Sequence, residues 1–415
     1  MAQTTQAASQ PSDRLKPIDP NPGSELDPAN FVGRQGVNQR AAAMLAAKQN
    51  ILLGDPRRMG KSFWIVAFAD TMNRRGTWRV VRIDYQGVDT VEEFLRMTVE
   101  HLAKSQRLPE RFLQYIGALF DNTEAKVALG PVTLKKAVRD SGTQPAHILE
   151  NILIRLNDDI RADGQAAPLV IAMDEVADAV LSIAERDQME AANLLRRLRH
   201  LRQVASHIRW IVAGSVGFHH VLGRCGVVED VISDLSNLVF GPLDAADSAV
   251  LSRRLALGIH RPIDEAAIER MFTLTDGLPH LIQKLCDTMR FGDHAERLTS
   301  PITAAEVEER FEAFLGDRDQ SRDVTQYVSR IDRYYGRDAS TAFDILDWVT
   351  AGPPAGRPLA ELPPSLGQRP EFARTLRNLV DDHYLENPGP GPDGRATWRY
   401  QVIRAIYLRR RGTRG

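Results

Sequence analysis

The sequence predicts an α/β fold, a parallel sheet with helices on both faces, on three observations. Short apolar segments alternate with amphipathic segments of helical spacing over the first 240 residues. One apolar segment runs through NILLGDPRRMGKSFW, residues 50–64, into a turn ending Gly60-Lys61-Ser62 and then into a helix. Another, LVIAMDEV at 169–176, ends in two adjacent carboxylates, which a buried strand does not need unless its end opens on a polar site.

Residues 1–30 are rich in Gln, Ser, Pro and Asp and read as a flexible arm. Order begins at Phe31, with a helix over 39–48, a first strand at 51–53, the turn, and a helix to residue 73. WRVVRIDY at 78–85 mixes β-branched and aromatic residues and reads as a second strand. The spacing of Phe94, Leu95, Val99 and Leu102 predicts a helix over 92–104. Between 106 and 142 the pattern weakens to a short helix and a hairpin around 125–135, before a helix over 147–159 leads to the carboxylate strand.

Residues 187–207 place Leu194, Leu198, Leu201 and Val204 on one face and Arg196, Arg197, Arg199, His200 and Arg202 largely on the other. This helix feeds a strand at 208–213 ending Gly214-Ser215, and 238–240 reads as a fifth strand. In such a sheet ligands bind at the carboxyl ends of the strands, so the turn, the acidic pair and Ser215 fall on one edge.

After 242 the pattern is helical, over 245–257, 264–275, 281–290 and 304–315, the last opened by a Thr303-x-x-Glu306 capping box. A charged linker, GDRDQSR at 316–322, precedes helices at 324–335, 341–350 and 371–383, with a turn at 359–361. The chain then runs through 384–386, the tract NPGPGPDGR and back along 397–402. Three helices and a two-stranded hairpin are the pattern of a winged helix.

The 415 residues suggest two or three domains. With 53 Lys+Arg against 54 Asp+Glu, bulk charge draws the chain toward neither nucleic acid nor membrane. Cys225 and Cys286 alone build no disulfide scaffold or thiolate metal site. No apolar run approaches the twenty residues a bilayer needs, and the expectation is a cytoplasmic protein.

The turn has the chemistry of a phosphate-binding loop. Gly60 opens a helix whose N-terminus favours anions, Lys61 reaches terminal phosphates and Ser62 offers a hydroxyl to Mg²⁺. Asp55 stands where the usual motif begins with glycine, and Gly54 lies one residue early. Of the acidic pair, Asp174 suits Mg²⁺ and Glu175 suits polarising an attacking water. No Asn-Lys-x-Asp motif for guanine is present, and the residues flanking the loop are apolar, so ATP is the expected nucleotide.

Five segments in order resemble the STAND and archaeal-type ATPases within the AAA+-like P-loop NTPases: Phe31-Val32-Gly33-Arg34, the PRRMGKS loop at 56–62, Met173-Asp174-Glu175, Gly214-Ser215-Val216-Gly217 and Gly277-Leu278-Pro279. Gln35 stands where an acid often follows the arginine. The resemblance implies an ATPase core over 31–242, a helical lid over 243–318 and a winged-helix domain over 319–415. It implies that Val32 and Gly33 border the adenine with Arg34 nearby, that Arg58, Met59, Gly60, Lys61, Ser62 and Phe63 line the nucleotide, that Pro279 closes the base pocket, and that Ser215 senses the γ-phosphate or the attacking water. Ser62 and Asp174 would be the metal residues; Lys61, Glu175 and Ser215 the catalytic ones. Arg199 and Arg202 lie where an arginine finger acting on a neighbouring subunit could project.

The implied function is a regulatory switch with slow ATP hydrolysis, ADP-closed and ATP-open, that controls a partner protein or an assembly. The alternative is an ATP-dependent DNA-binding protein, supported by Arg374, Arg377, Arg395, Arg399, Arg404 and Arg409-Arg410-Arg411. A kinase is disfavoured, because the Asp-Glu pair points to water as the acceptor.

Overall fold

The computed structural model describes residues 15–20, 26–105, 108–119, 144–164, 167–317, 322–389 and 394–411. The hairpin expected around 125–135 lies outside them. Five strands, β1 (Asn50–Leu53), β2 (Arg79–Asp84), β3 (Leu169–Asp174), β4 (Ile208–Ala213) and β5 (Leu235–Asn237), form a parallel sheet in the order β2-β3-β4-β1-β5. Leu53 is level with Ala213, Met173 with Val212 and Asp84 with Asp174, so the carboxyl ends of four strands open on one edge.

Every residue of β1 and β3 is buried, as the continuous apolar runs require in a sheet covered on both faces. The helices in this part are α1 (Gln35–Ala46), α2 (Lys61–Arg75), α3 (Val91–Lys104), α4 (Glu110–Leu119), α5 (Pro145–Asp163), α6 (Val176–Arg186), α7 (Gln188–Val204) and α8 (Phe218–Cys225). α2 ends at Gly76, whose φ of 68° gives the left-handed cap. α3 begins where Thr90 Oγ1 accepts the Glu93 amide at 3.2 Å, and its Phe94 stacks on Tyr85 with ring centroids 4.0 Å apart.

Two helices and one strand depart from the sequence reading. α6, VADAVLSIAER, buries seven of its eleven residues and keeps only a narrow polar face of Asp178, Ser182, Glu185 and Arg186, so its apolar residues read as a continuation of the strand before it. α8 is short. The fifth strand is at Leu235–Asn237 rather than 238–240, because the amides of Phe240 and Gly241 turn to the Asp55 carboxylate at 3.1 and 3.0 Å.

The chain divides into two compact units, one of Leu26–Gly241 with Tyr327–Ile403 and the other of Met1–Glu25, Pro242–Gln326 and Arg404–Gly415. The first joins the sheet to a C-terminal module. Its elements are the end of α13 (Arg322–Tyr335), α14 (Ala339–Thr350), β6 (Arg357–Pro358), α15 (Pro364–Gly367), α16 (Phe372–Asp381) and β7 (Arg395–Ala396), with β6 and β7 antiparallel. The expected return strand over 397–402 is shorter: Trp398 bridges to Leu385, and Val402 already belongs to α17 (Gln401–Arg411).

The second unit holds α9 (Ala245–Gly258), α10 (Glu265–Thr275), α11 (Pro279–Thr288) and α12 (Ala304–Gly316). The N-cap half of the box forms, with Thr303 Oγ1 accepting the Glu306 amide at 3.3 Å, while the Glu306 carboxylate receives the buried Arg261 at 2.7 and 2.8 Å. Part of the stretch read as an arm is packed here: Ile18 is buried, its amide donates to Arg254 O at 3.0 Å, and Asp19 pairs with Arg290 at 2.6 Å.

Gly277 has φ of 67°, and a Cβ there would lie 2.3 Å from Leu243 O. Both the left-handed backbone and the close carbonyl demand glycine. Gly277→Ala is expected to destabilise this unit by about 1–3 kcal/mol, read as a lower midpoint in urea. An unchanged midpoint would show that the turn relaxes freely.

Candidate functional site

The loop after β1 is held from both sides. The Asp55 carboxylate accepts the Phe240 and Gly241 amides, while Arg34 donates to the carbonyls of Phe240, Gly241 and Met59, each at 2.8 Å, with its guanidinium 3.7 Å over the Phe240 ring. This accounts for the missing glycine: at 55 the fold uses a buried carboxylate that ties the loop to the strand beside it. Arg34 thereby braces the loop.

Gly60 takes φ of 86° and turns the chain into α2. Lys61 is buried, and its Nζ donates to Pro56 O at 2.7 Å and to Asp55 O. Burial lowers its pKa to about 8 against the opposing pull of Glu175, Asp55 and Asp174. The ammonium thus rests on loop carbonyls that an incoming phosphate can replace. Ser62 and Phe63 are half-buried on the first turn of α2, and Phe63 meets Phe31 edge-on at 5.4 Å. Val32 and Gly33 are half-buried next to that pair, Met59 is buried, and Arg58 adopts φ of 69° in the loop. Pro279 begins α11 in the other unit.

At the end of β3, Asp174 is buried and accepts Arg82 Nη2 at 2.9 Å; the same nitrogen reaches Asp84 at 2.7 Å. Glu175 breaks the strand with φ of 56° and aims its side chain at the next strand. Ser215 Oγ lies 2.8 Å from Glu175 Oε2 and 2.7 Å from Asp178 Oδ2, and accepts Arg57 Nε at 2.7 Å. One hydroxyl proton cannot serve two carboxylates, so a carboxyl of this pair holds another. Burial, with Asp178 beside it, pushes Glu175 up to about 7, while hydrogen bonds from Glu175 and Ser215 and the charge of Arg57 hold Asp178 below its ordinary value in spite of burial.

The fold therefore brings Lys61, Asp174, Glu175 and Ser215 to one edge and adds Arg57, Asp84 and Asp178, which sequence reasoning missed. The signal for Asp178 was present, since an acid one helical turn after Glu175 returns to the same face.

The C-terminal module supplies a second set of missed residues. Tyr327 donates its hydroxyl to Arg57 O at 3.0 Å, Arg330 donates to Ser215 O, and the Tyr334 hydroxyl approaches Asp178 Oδ1 at 3.4 Å. His383, with φ of 62°, is electrostatically coupled to Asp55 and Lys61, and its Nδ1 is buried without a hydrogen bond. Gly54, Pro56, Ser215, Tyr327 and Arg330 enclose a small cavity between the loop and the module.

Arg199 and Arg202 are both paired within the chain. Arg199 pairs with Asp230, and Arg202, with its side chain almost fully buried, holds both oxygens of Asp234 at 2.7 and 2.8 Å. Of the basic C-terminal residues, Arg374 pairs with Asp338, Arg395 donates to Gly356 O and Arg409 pairs with Glu312.

Comparison with known protein families finds no match, and no curated protein matches the chain. Solved structures do. A Walker-type ATPase of Pyrococcus abyssi superposes with a TM-score of 0.58 at 18% identity, covering 91% of this chain and 96% of that one. The chain shares the fold of that Walker-type ATPase. The ORC2 protein of Aeropyrum pernix, in ADPNP–ADP complexes, gives a TM-score of 0.45 at 10% identity over 92% of this chain and 93% of that one. Cdc6p of Pyrobaculum aerophilum gives 0.36 at 13% over 94% and 97%. The loop, Asp174-Glu175 and Ser215 lie at the carboxyl ends of the sheet strands, and no helix among the described residues is long and apolar enough to cross a membrane.

Proposed function

We propose that the protein is an ATP-binding and hydrolysing switch of the STAND kind, closed with ADP and open with ATP, that controls a partner protein or an assembly. The observation that carries this reading is the seating of Tyr327 and Arg330 on the backbone of Arg57 and Ser215, at the phosphate end of the site. A module held there by hydrogen bonds to the loop and to the strand after it responds to whatever occupies the loop. The Walker-type ATPase of Pyrococcus abyssi shares the fold over nearly the whole chain and supports the ATPase part of the reading.

In this proposal Lys61 leaves the Asp55 and Pro56 carbonyls for the terminal phosphates, and the amides of Arg58 to Ser62 line them. Val32, Gly33 and Phe63 flank the base. Arg34 acts one step back, by fixing the loop. The oxygen donors Ser62 and Asp174 fit Mg²⁺, which takes hard oxygen ligands and, when bound, neutralises phosphate charge. Glu175 holds the proton acceptor for the attacking water, and Ser215 with Arg57 orients it. A pKa near 7 keeps Glu175 partly protonated while the module is seated.

The adenine preference is tested by competition. GTP is expected to displace a fluorescent ATP analogue at least about tenfold less well, a difference of ~1.4 kcal/mol, because Phe31, Val32 and Phe63 offer no polar group to read guanine. Equal displacement by GTP would contradict the base-pocket assignment.

A further inference from the structure

Beside the nucleotide site, with Asp382 on the wall of the cavity between the loop and the module, three metal-ligating side chains meet. His219 and His220 are adjacent at the start of α8, and Asp382 follows α16 in the C-terminal module. His220 Nε2 lies 2.7 Å from Asp382 Oδ2 and His219 Nε2 lies 3.5 Å from Oδ1, the two rings being 4.1 Å apart. The three donor atoms all fall within 4.8 Å of one another. An ion pair with one carboxylate employs only one of these histidines well, since His219 Nε2 is buried and makes no hydrogen bond.

The surroundings are those of a built site. Tyr335 donates its hydroxyl to Asp382 Oδ2 at 2.8 Å, the kind of outer contact that fixes a ligating carboxylate. Gly217 makes room: a Cβ there would lie 2.3 Å from His219 Cε1 and 2.6 Å from Asp382 Oδ1. Both histidines line an open groove with Leu181, Gly223 and Arg224, which gives an ion a path from solvent. The donor spacings of 2.7 and 3.5 Å bracket the ~3.3 Å between ligands of a tetrahedral centre with bonds of ~2.0–2.1 Å.

We propose that His219, His220 and Asp382 form a Zn²⁺ site that fastens the C-terminal module to the ATPase core. Two imidazoles and one carboxylate are the borderline donors zinc takes, and three protein ligands leave a fourth position for water. Mg²⁺ and Ca²⁺ prefer oxygen donors alone and are disfavoured. Because the ligands come from elements 162 residues apart in sequence, a bound ion adds its affinity to the seated state of the module only.

The full-length protein, stripped with EDTA, dialysed against zinc chloride and desalted, is assayed for metal by atomic emission and for thermal unfolding. The wild type is expected to retain about one zinc per chain and to unfold at a higher temperature than the stripped protein. His219→Gln and Asp382→Asn, each close to its parent in size, are expected to lose at least about tenfold in retained zinc and to show no zinc-dependent shift. Lys61→Ala, which changes none of the three ligands, should keep both. Circular dichroism matching wild type confirms that the variants are folded. No retained zinc in the wild type, or equal retention in His219→Gln, overturns the proposal; the second result would assign the ion to other histidines.

Discussion

Lys61→Ala is expected to lower ATP affinity at least about 100-fold, while Glu175→Gln keeps wild-type affinity and loses about 100- to 10,000-fold in turnover. The split follows from what each side chain touches. Lys61 is the buried cation whose Nζ rests on the Pro56 and Asp55 carbonyls, and charge-assisted hydrogen bonds to phosphate are each worth ~1.5–3 kcal/mol. Glu175 faces Ser215 and Asp178 and lies where it can act on water. Equilibrium binding of a fluorescent ATP analogue, with phosphate release measured on the same preparations, separates the two. Wild-type binding by the Lys61 variant would remove the loop assignment, and undiminished turnover by Glu175→Gln would remove the base.

The second large effect concerns the module. Arg330→Ala combined with Tyr327→Phe is expected to raise basal ATP hydrolysis about 10- to 100-fold, because the charge-assisted bond of Arg330 takes ~1.5–3 kcal/mol and the neutral bond of Tyr327 ~0.5–1.5 kcal/mol from the seated state alone. Deleting residues 324–415 should act in the same direction, or trigger nucleotide-dependent assembly visible as a larger particle in ATP. A DNA-binding machine behaves otherwise. Its intact chain binds duplex tightly, its affinity falls steeply with salt, and truncation removes that affinity without changing basal hydrolysis. That pattern would replace the switch with the DNA reading. The pairing of Arg374 with Asp338 and of Arg409 with Glu312 already reduces the positive surface on which the DNA reading rested.

Much of the site was legible because its chemistry is local. A glycine before a lysine at a helix start, an acidic pair at a strand end and a serine after a buried strand are each fixed by the backbone they sit on. The misreadings share a different cause. Nothing near Arg34 in the sequence signals that it also braces the loop against the carbonyls of Phe240 and Gly241, more than two hundred residues away. Asp55 looked like a defect in the loop, and only the same distant backbone shows its use. α6 was missed because its polar stripe is narrow, only Asp178, Ser182, Glu185 and Arg186, and its apolar residues continue the run of the strand before it.

The sequence alone determined the parallel sheet, the strand ends on which polar residues emerge, and the identity of the loop lysine and the acidic pair, since these depend on hydrophobic period and on residues within a few positions of one another. Tertiary structure decided what those residues face. The proximity of Tyr327, Arg330, Asp382 and His383 to a loop some 270 to 330 positions earlier comes from packing, in which many weak contacts choose one docking of the C-terminal module, and no periodicity in a chain encodes which of its distant surfaces will meet.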